Sequence, residues 1–233
     1  ILAQVFSFPH GMSLGRVLVL GSSVAEGGSA SPGLGWAQQL AVAAGARGVQ
    51  VDNKAVGGSH VAAWSKRLKA TKKDASEYDV VIMALSLANE GFPHCGGEQE
   101  RKELVQYYLT GLREICAMLR TRMAPNARLV LGGPYANNGY SPAHYKHLQE
   151  VLAELRTWEE VDFVIDFLQP GAHDGAGKWP PGQARDPGHP NAAGHASMFA
   201  CVDVDAVLGS SAEAGPAQGT EPARRRWGGY NRK

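Results

Sequence analysis

A short loop near the end of the chain places an acid and a base at a spacing suited to proton transfer. In the segment Asp186-Pro-Gly-His189-Pro-Asn191, the aspartate precedes the histidine by three residues. A carboxylate at that distance can hold the imidazole through Nδ1–H and leave Nε2 free to face a hydroxyl group. The loop is rich in glycine and proline, where a histidine that serves only core packing is less expected. The pair therefore predicts a general base acting on a nearby nucleophile.

The first glycine-rich loop supplies candidate nucleophiles. It reads Gly21-Ser22-Ser23-Val-Ala-Glu-Gly27 and directly follows a short apolar run. A serine at a tight turn from a strand into a helix is exposed at the edge of a sheet, and its backbone N–H faces the same place. From the residues alone, either of the two adjacent serines fits this position.

Two further loops offer hydrogen-bond donors for a developing negative charge. Gly57-Gly58-Ser59 presents backbone N–H groups, and Leu87-Ala88-Asn89-Glu90 presents a carboxamide. Taken singly, each string is more often structural than catalytic. Together with the serine and the acid–base pair, they supply every part of an acyl-transfer site: nucleophile, base, orienting acid and oxyanion donors.

The elements that must position these loops alternate along the chain. Apolar runs typical of strands occupy residues 16–20, 49–53, 79–85, 128–131 and 161–167, and helical spacing covers residues 34–44, 61–70, 98–123, 141–158 and 191–208. Parallel strands need helix-sized connections, so this alternation predicts an α/β fold with a five-stranded parallel sheet covered on both faces. Ligands bind beyond the carboxyl ends of the strands in such sheets, and that is where the four loops fall.

Composition limits the class of protein further. The 233 residues carry a formal net charge of +1, and 44% are hydrophobic, which predicts one globular domain, placed at residues 16–208. We expect residues 1–15 to form an N-terminal extension and residues 209–233 an extended basic tail. The tail is either a solvated terminus or a docking segment for a protein partner. The balanced charge argues against nucleic-acid binding, and no apolar run is long enough for a transmembrane helix.

Metal and cofactor motifs are missing from the sequence. It contains no zinc-binding cysteine spacing, P-loop or dinucleotide fingerprint, so we expect neither a metal nor a cofactor. Cys95, Cys116 and Cys201 are expected to be reduced. The chain begins at Ile1 rather than at a methionine, so we expect any targeting segment to lie outside it, which leaves the compartment open.

The four loops resemble the blocks of the SGNH (GDSL-like) hydrolase family over residues 16–208. The first block, usually Gly-Asp-Ser-x-x-x-Gly, matches Gly21–Gly27 and places Ser23 at the nucleophile position. Gly58 and Asn89 match the second and third blocks, and Asp186–Asn191 matches the last. The resemblance implies a flavodoxin-like three-layer α/β/α fold and hydrolysis of esters, often on acylated carbohydrates or lipids.

The same resemblance implies roles for individual groups. Ser23, His189 and Asp186 would form a catalytic triad, and the oxyanion would be held by the N–H groups of Ser23 and Gly58 and by the Asn89 side chain. Transfer of the acyl group to a hydroxyl instead of water stays open, because its first half-reaction is the same.

The chain departs from the family at two positions. Ser22 stands where the family usually has aspartate, and Leu87 where it usually has glycine. These departures, with the basic aromatic tail, motivate an alternative in which the chain is a non-catalytic structural or binding subunit that retains the fold.

Other polar and aromatic residues are weaker candidates. Tyr135, Asn137 and Trp179 lie in loops at the predicted edge of the site, where they could grip a sugar or simply pack.

Three histidines and an asparagine have simpler interpretations. Asn191 is expected to cap the last helix, and His195 to pack in the core. His144 and His147 are expected to be solvated on an exposed helix.

Overall fold

The computed structural model describes residues 15–71 and 75–209. Nearly all of the extension predicted at residues 1–15 and of the tail predicted at 209–233, including its possible role in binding a partner, falls outside these residues. The domain predicted at residues 16–208 falls almost entirely within them.

A five-stranded sheet forms the centre of the protein. Its strands are β1 (Arg16–Gly21), β2 (Gln50–Asn53), β3 (Val80–Ala84), β4 (Arg128–Gly132) and β5 (Phe163–Ile165). All neighbouring strands are parallel, in the order β2-β1-β3-β4-β5. This is the flavodoxin-like order, in which sites form at the carboxyl edge of the sheet. The predicted fold class is confirmed.

Seven helices and a small hairpin accompany the sheet in the described residues. The helices are α1 (Ser23–Glu26), α2 (Trp36–Gly45), α3 (Val61–Ala70), α4 (Glu98–Arg120), α5 (Pro142–Leu155), α6 (Ala192–Ala200) and α7 (Val204–Leu208). The antiparallel hairpin pairs β6 (Ala184–Asp186) with β7 (His189–Pro190), and short 3-10 turns occupy Leu87–Glu90 and Phe92–His94. None of these helices is long and apolar enough to cross a membrane.

The prediction of one continuous helix over residues 191–208 was wrong. Residues 191–208 form two helices, because the chain turns after α6 and Asp203 starts a new helix as the N-cap of α7. The Asp203 side chain accepts a hydrogen bond from the N–H of Ala206 at 2.9 Å. An aspartate at an N-cap satisfies a donor that the first turn leaves unpaired.

Two hydrophobic cores fill the spaces on either side of the sheet. One core joins β1 to α3, α4 and α5 through side chains such as Leu18 and Leu112. The other joins β1 to α2, α6 and α7 through side chains such as Val17 and Met198. Successive side chains of a strand point to opposite faces, so β1 contributes to both cores. The result is the expected three-layer α/β/α arrangement.

The two histidines of α5 are buried, and the prediction that they are solvated was wrong. His144 and His147 are 5% and 3% exposed. Their rings pack edge-on against Phe92, with centroids 4.9 and 6.3 Å away. Both lie on the same helical stripe as Val151, so the periodicity of α5 already contained this information.

The end of β1 approaches β3 too closely for any side chain. A Cβ added at Gly21 would lie 2.2 Å from the carbonyl oxygen of Ala84. Glycine therefore lets the loop that follows β1 start beside the loop that follows β3.

All three cysteines are free, as expected from the sequence, and Cys116 and Cys201 are buried.

Candidate active site

Ser23 stands at a sharp turn between β1 and α1. Ser22 still has an extended backbone, with φ −108° and ψ −165°, and Ser23 is already the first residue of α1. The helix lasts four residues and ends at Gly27, whose φ of +92° favours glycine. This turn places the Ser23 hydroxyl beyond the carboxyl end of β1, where its Oγ lies 2.9 Å from Nε2 of His189.

The β6–β7 hairpin holds His189 and Asp186 together. Oδ1 of Asp186 accepts hydrogen bonds from the N–H groups of Gly188 and His189, each at 2.9 Å. Nδ1 of His189 lies 2.9 Å from the same oxygen and 3.1 Å from Oδ2. When Nδ1–H donates to the carboxylate, Nε2 is left to accept the proton of the Ser23 hydroxyl.

The carboxyl group of Asp186 favours its charged form. Burial alone would raise its pKa, but hydrogen bonds from the His189 ring and from the N–H of Gly188 outweigh that effect and hold the pKa below its ordinary value. A carboxylate that stays ionised fixes the orientation of the imidazole and can stabilise its protonated form.

The loop after β2 lies against Ser23. Its turn is closed by the Ser59 N–H, which donates to the Val56 carbonyl at 3.2 Å. Gly58 occupies the left-handed region of this turn with a φ of +69°. A Cβ added at the preceding Gly57 would lie 3.8 Å from Cβ of Ser23, so the turn packs directly against the serine. The N–H of Ser23 itself, in the first turn of α1, has no partner within the helix.

The loop after β3 contributes the carboxamide of Asn89. This residue lies in the 3-10 turn at Leu87–Glu90, which Ser86 caps by accepting a hydrogen bond from the Ala88 N–H at 3.1 Å. Nδ2 of Asn89 donates to the Ser59 carbonyl at 2.8 Å. An amide nitrogen carries two protons, so this bond orients the group and leaves one proton for another acceptor.

Glu90 is a residue of this site that sequence reasoning missed. Its Oε1 accepts a hydrogen bond from the N–H of Val61, the first residue of α3, at 2.8 Å. The bond ties the loop of Asn89 to the start of the helix that follows Gly58. Burial, the largest influence, raises the pKa of Glu90, and the Val61 N–H and nearby His60 counteract it only in part.

We expect Glu90→Gln to stabilise the fold at neutral pH. Glutamine keeps an oxygen for the Val61 N–H but carries no charge that burial would penalise. Because the folded pKa of Glu90 is raised, the charged form costs stability above that pKa, and the cost disappears below the ordinary value of 4.5. Urea unfolding should therefore show a higher midpoint for the variant at pH 7 and no difference below pH 4.5.

The exposed Glu114 provides the matched control for this comparison. Glu114→Gln should leave the midpoint unchanged at both pH values. A Glu90→Gln variant that is less stable than the parent at pH 7 would contradict the assignment.

The two adjacent serines point to different surroundings. Ser22 is completely buried, and its Oγ lies 3.4 Å from Oη of Tyr135. Ser23 instead contacts His189. Of the two adjacent serines, Ser23 is the one whose hydroxyl lies within hydrogen-bonding distance of His189.

The three residues predicted to contact substrate are buried. Tyr135, Asn137 and Trp179 are each 4–5% exposed. The rings of Tyr135 and Trp179 stack with centroids 6.1 Å apart, and Oδ1 of Asn137 accepts a hydrogen bond from the Gly139 N–H at 2.8 Å. Burial raises the pKa of Tyr135. Packing is their visible role, and contact with substrate stays a prediction.

Asn191 and His195 hold the neighbouring helix in place. The Asn191 side chain caps α6, as predicted, by accepting hydrogen bonds from the N–H groups of Ala193 and Gly194. His195 is fully buried, as predicted; its Nδ1 accepts a hydrogen bond from the Trp36 N–H at 3.3 Å, and Nε2 lies 3.2 Å from the Gly28 carbonyl oxygen. The bonds of His195 anchor α6 to the segment that follows α1.

The described residues were searched for clusters of side chains able to bind a metal ion. Residues 15–71 and 75–209 contain no group of three or more His, Cys, Asp or Glu side chains able to hold a metal ion. The side chains that this site brings into contact are the Ser23 hydroxyl, the His189 imidazole and the Asp186 carboxylate.

The protein is thus a three-layer α/β protein in which Ser23, His189 and Asp186 form a chain of hydrogen-bonding distances at the carboxyl edge of the sheet. The model of the GDSL-like lipase/acylhydrolase family matches residues 19–197. The chain belongs to this family.

Several solved structures share this fold at low sequence identity to the chain, and their names describe lipolytic proteins and esterases. A member of the lipolytic G-D-S-L family from Veillonella parvula is 15% identical, with a TM-score of 0.57 over 80% of this chain and 94% of its own. The lipase Lip_vut3 from a goat rumen metagenome is 14% identical, with a TM-score of 0.60 over 80% and 95%. A catalytic mutant of Axe2, an acetylxylan esterase from Geobacillus stearothermophilus, is 19% identical, with a TM-score of 0.52 over 82% and 94%. No curated protein sequence matches the chain significantly.

Proposed function

We propose that this protein is an esterase that cleaves carboxylic esters through Ser23, His189 and Asp186. One observation carries the proposal, namely the chain of contacts from Ser23 Oγ to His189 Nε2 at 2.9 Å and from His189 Nδ1 to Asp186 Oδ1 at 2.9 Å. Membership of an acylhydrolase family supports the same chemistry.

Acylation begins at the hydroxyl of Ser23. His189 takes the hydroxyl proton on Nε2 while Oγ forms a bond to the ester carbonyl carbon, and Asp186 stabilises the imidazolium. The carbonyl oxygen becomes an oxyanion held by the N–H groups of Ser23 and Gly58 and by Asn89. His189 then returns its proton to the departing alcohol as the carbon–oxygen bond breaks.

Deacylation repeats these steps with water as the nucleophile. His189 removes a proton from water, the hydroxide adds to the acyl carbon, and the bond to Ser23 Oγ breaks as the serine regains a proton. The products are a carboxylic acid and free enzyme. This sequence needs only side chains that the chain itself supplies.

The substrate class that we propose is an acyl or acetyl ester on a carbohydrate or lipid. The names of the structural neighbours, a lipase and an acetylxylan esterase, support both kinds of alcohol. An exposed apolar residue of the loop after β2 suits contact with the acyl part: Val56 is 38% exposed, and its backbone N–H donates to the carbonyl of Gly21, two residues before Ser23, at 3.1 Å.

A fluorophosphonate probe tests the proposed function directly. Such a probe reacts with an activated serine, so the purified chain should become labelled at Ser23 and should hydrolyse p-nitrophenyl acetate. Peptide mapping by mass spectrometry identifies the labelled residue. An unlabelled, inactive chain that is folded by circular dichroism would instead support a binding or structural subunit.

Removal of the carboxamide donor should slow the reaction without weakening substrate binding. We expect Asn89→Ala to lower kcat by about 10²- to 10³-fold, which corresponds to about 3 kcal/mol of lost transition-state stabilisation. KM should change little, because the donor acts mainly on the oxyanion. Steady-state kinetics with p-nitrophenyl acetate measures both quantities. The exposed amide of Gln99 on α4 provides the control, and Gln99→Ala should leave kcat unchanged.

A further inference from the structure

A second cavity lies away from the candidate active site, between the sheet and the helices α3 and α4. Its volume is about 250 Å³, and its walls are mainly apolar, formed by Leu18, Leu20, Trp64, Leu68 and Leu119. Leu18 and Leu20 face this side of β1, whereas Ser23 stands beyond the carboxyl end of the strand. The cavity therefore belongs to the body of the fold and plays no part in the proposed hydrolysis.

One wall of the cavity carries a cation with unused hydrogen-bonding capacity. The Arg122 side chain lines the cavity, and its Nη2 donates to the Leu68 carbonyl at the end of α3. Its Nη1 is buried and has no hydrogen-bond partner in the described part of the chain. A buried donor without a partner costs free energy, and a guanidinium is best satisfied by a carboxylate.

The charges around the cavity favour an anion over other head groups. Lys54 is the second cation of the lining, and no aspartate or glutamate belongs to the described lining residues. A ligand with an apolar body and one negative charge would match both the walls and the guanidinium. Neither a neutral nor a cationic amphiphile would satisfy Arg122 in the same way.

The volume sets the size of the apolar body. An apolar cavity of about 150 Å³ accommodates benzene, which has six carbon atoms. In proportion, the cavity of about 250 Å³ has room for roughly ten carbon atoms. We propose that this cavity binds a linear alkyl carboxylate of about eight to ten carbons, with its chain between β1 and α3 and its carboxylate on Arg122. The proposal goes beyond the proposed esterase activity and does not depend on it.

Calorimetric titration of the full chain with linear carboxylates tests the proposal on the unaltered protein. Each added methylene should tighten binding by about three- to fourfold, and the gain should stop near ten carbons, where the cavity is full. At eight carbons, octanoate should bind at least about tenfold more tightly than octan-1-ol or octylammonium. An affinity that is independent of chain length, or equal for the three head groups, would overturn the proposal.

Two substitutions locate the binding site. Ala75 lines the cavity, so Ala75→Leu should fill it and remove octanoate binding. Arg122→Gln keeps a donor for the Leu68 carbonyl but loses the charge, and it should weaken binding about tenfold or more. The exposed residues Ala117 and Arg47 supply the matched controls, Ala117→Leu and Arg47→Gln, which should bind as the parent does. Circular dichroism and the thermal midpoint establish that each variant is folded.

A variant at the nucleophile separates this proposal from the proposed function. Ser23→Ala should bind octanoate with unchanged affinity, because Ser23 does not line the cavity. Loss of octanoate binding in Ser23→Ala, with retention in Ala75→Leu, would place the ligand in the active site and overturn the proposal. Absence of esterase activity would contradict the proposed function alone.

Discussion

Ser23→Ala should abolish ester hydrolysis, with kcat/KM for p-nitrophenyl acetate falling by about 10⁴-fold or more. Alanine removes the hydroxyl oxygen that lies 2.9 Å from Nε2 of His189. Loss of a nucleophile that acts with a base and an acid removes the covalent route as a whole, and only the binding and oxyanion groups still contribute. A residual rate above that of the uncatalysed reaction should remain, because the oxyanion donors are intact, and fluorophosphonate labelling should disappear.

The adjacent serine is the matched control for this experiment. Ser22 has the same side chain one residue earlier, but its Oγ is buried 3.4 Å from the Tyr135 hydroxyl. Ser22→Ala should therefore retain activity to within about tenfold of the parent. The opposite result, with hydrolysis lost in Ser22→Ala and kept in Ser23→Ala, would reassign the nucleophile.

The bounds of the elements and the loops at the strand ends were the features best predicted from the sequence. The apolar run before Gly21 predicted β1 within one residue, and the bounds of α3, at Val61–Ala70, were predicted without error. A parallel sheet forces loops at strand ends onto one edge, so the order of elements was enough to bring the loops of Ser23, Gly58 and Asn89 together. These features depend on local patterns and on topology, both of which are visible in a sequence.

Two hydrogen bonds between residues distant in sequence were not predicted, one to Glu90 and one involving Ser22. Glu90 and Val61 are separated by 29 residues, and Ser22 and Tyr135 by 113. No periodicity connects such pairs, because their contact depends on how two loops pack after the sheet has formed. The same reason explains why the stacking of Tyr135 on Trp179, two residues far apart in sequence, was not predicted.

The split of the last helix has a different cause. Apolar spacing continues from α6 into α7, so the pattern predicted one element across residues 191–208. Asp203 interrupts it, since its carboxylate can cap a helix that starts anew. Asp203 could lie inside a continuous helix or cap a new one, and hydrophobic periodicity does not distinguish between these two roles.

His189→Ala should lower kcat/KM about as much as Ser23→Ala does, by about 10⁴-fold or more. Without the imidazole, no described group lies within hydrogen-bonding distance of Ser23 Oγ to take its proton. The hydroxyl then stays a poor nucleophile, although the oxyanion donors are intact. The exposed His94 supplies the control, and His94→Ala should retain full activity in the same assay.

The double variant Ser23→Ala/His189→Ala shows whether the two residues act as one unit. If the histidine serves only to activate the serine, its removal has nothing further to cost once the serine is gone, so the double variant should be no slower than either single variant. Independent contributions would instead multiply, and the losses would add as free energies. A double variant much slower than both singles would show that His189 promotes hydrolysis by a route that bypasses Ser23, with water attacking the ester directly.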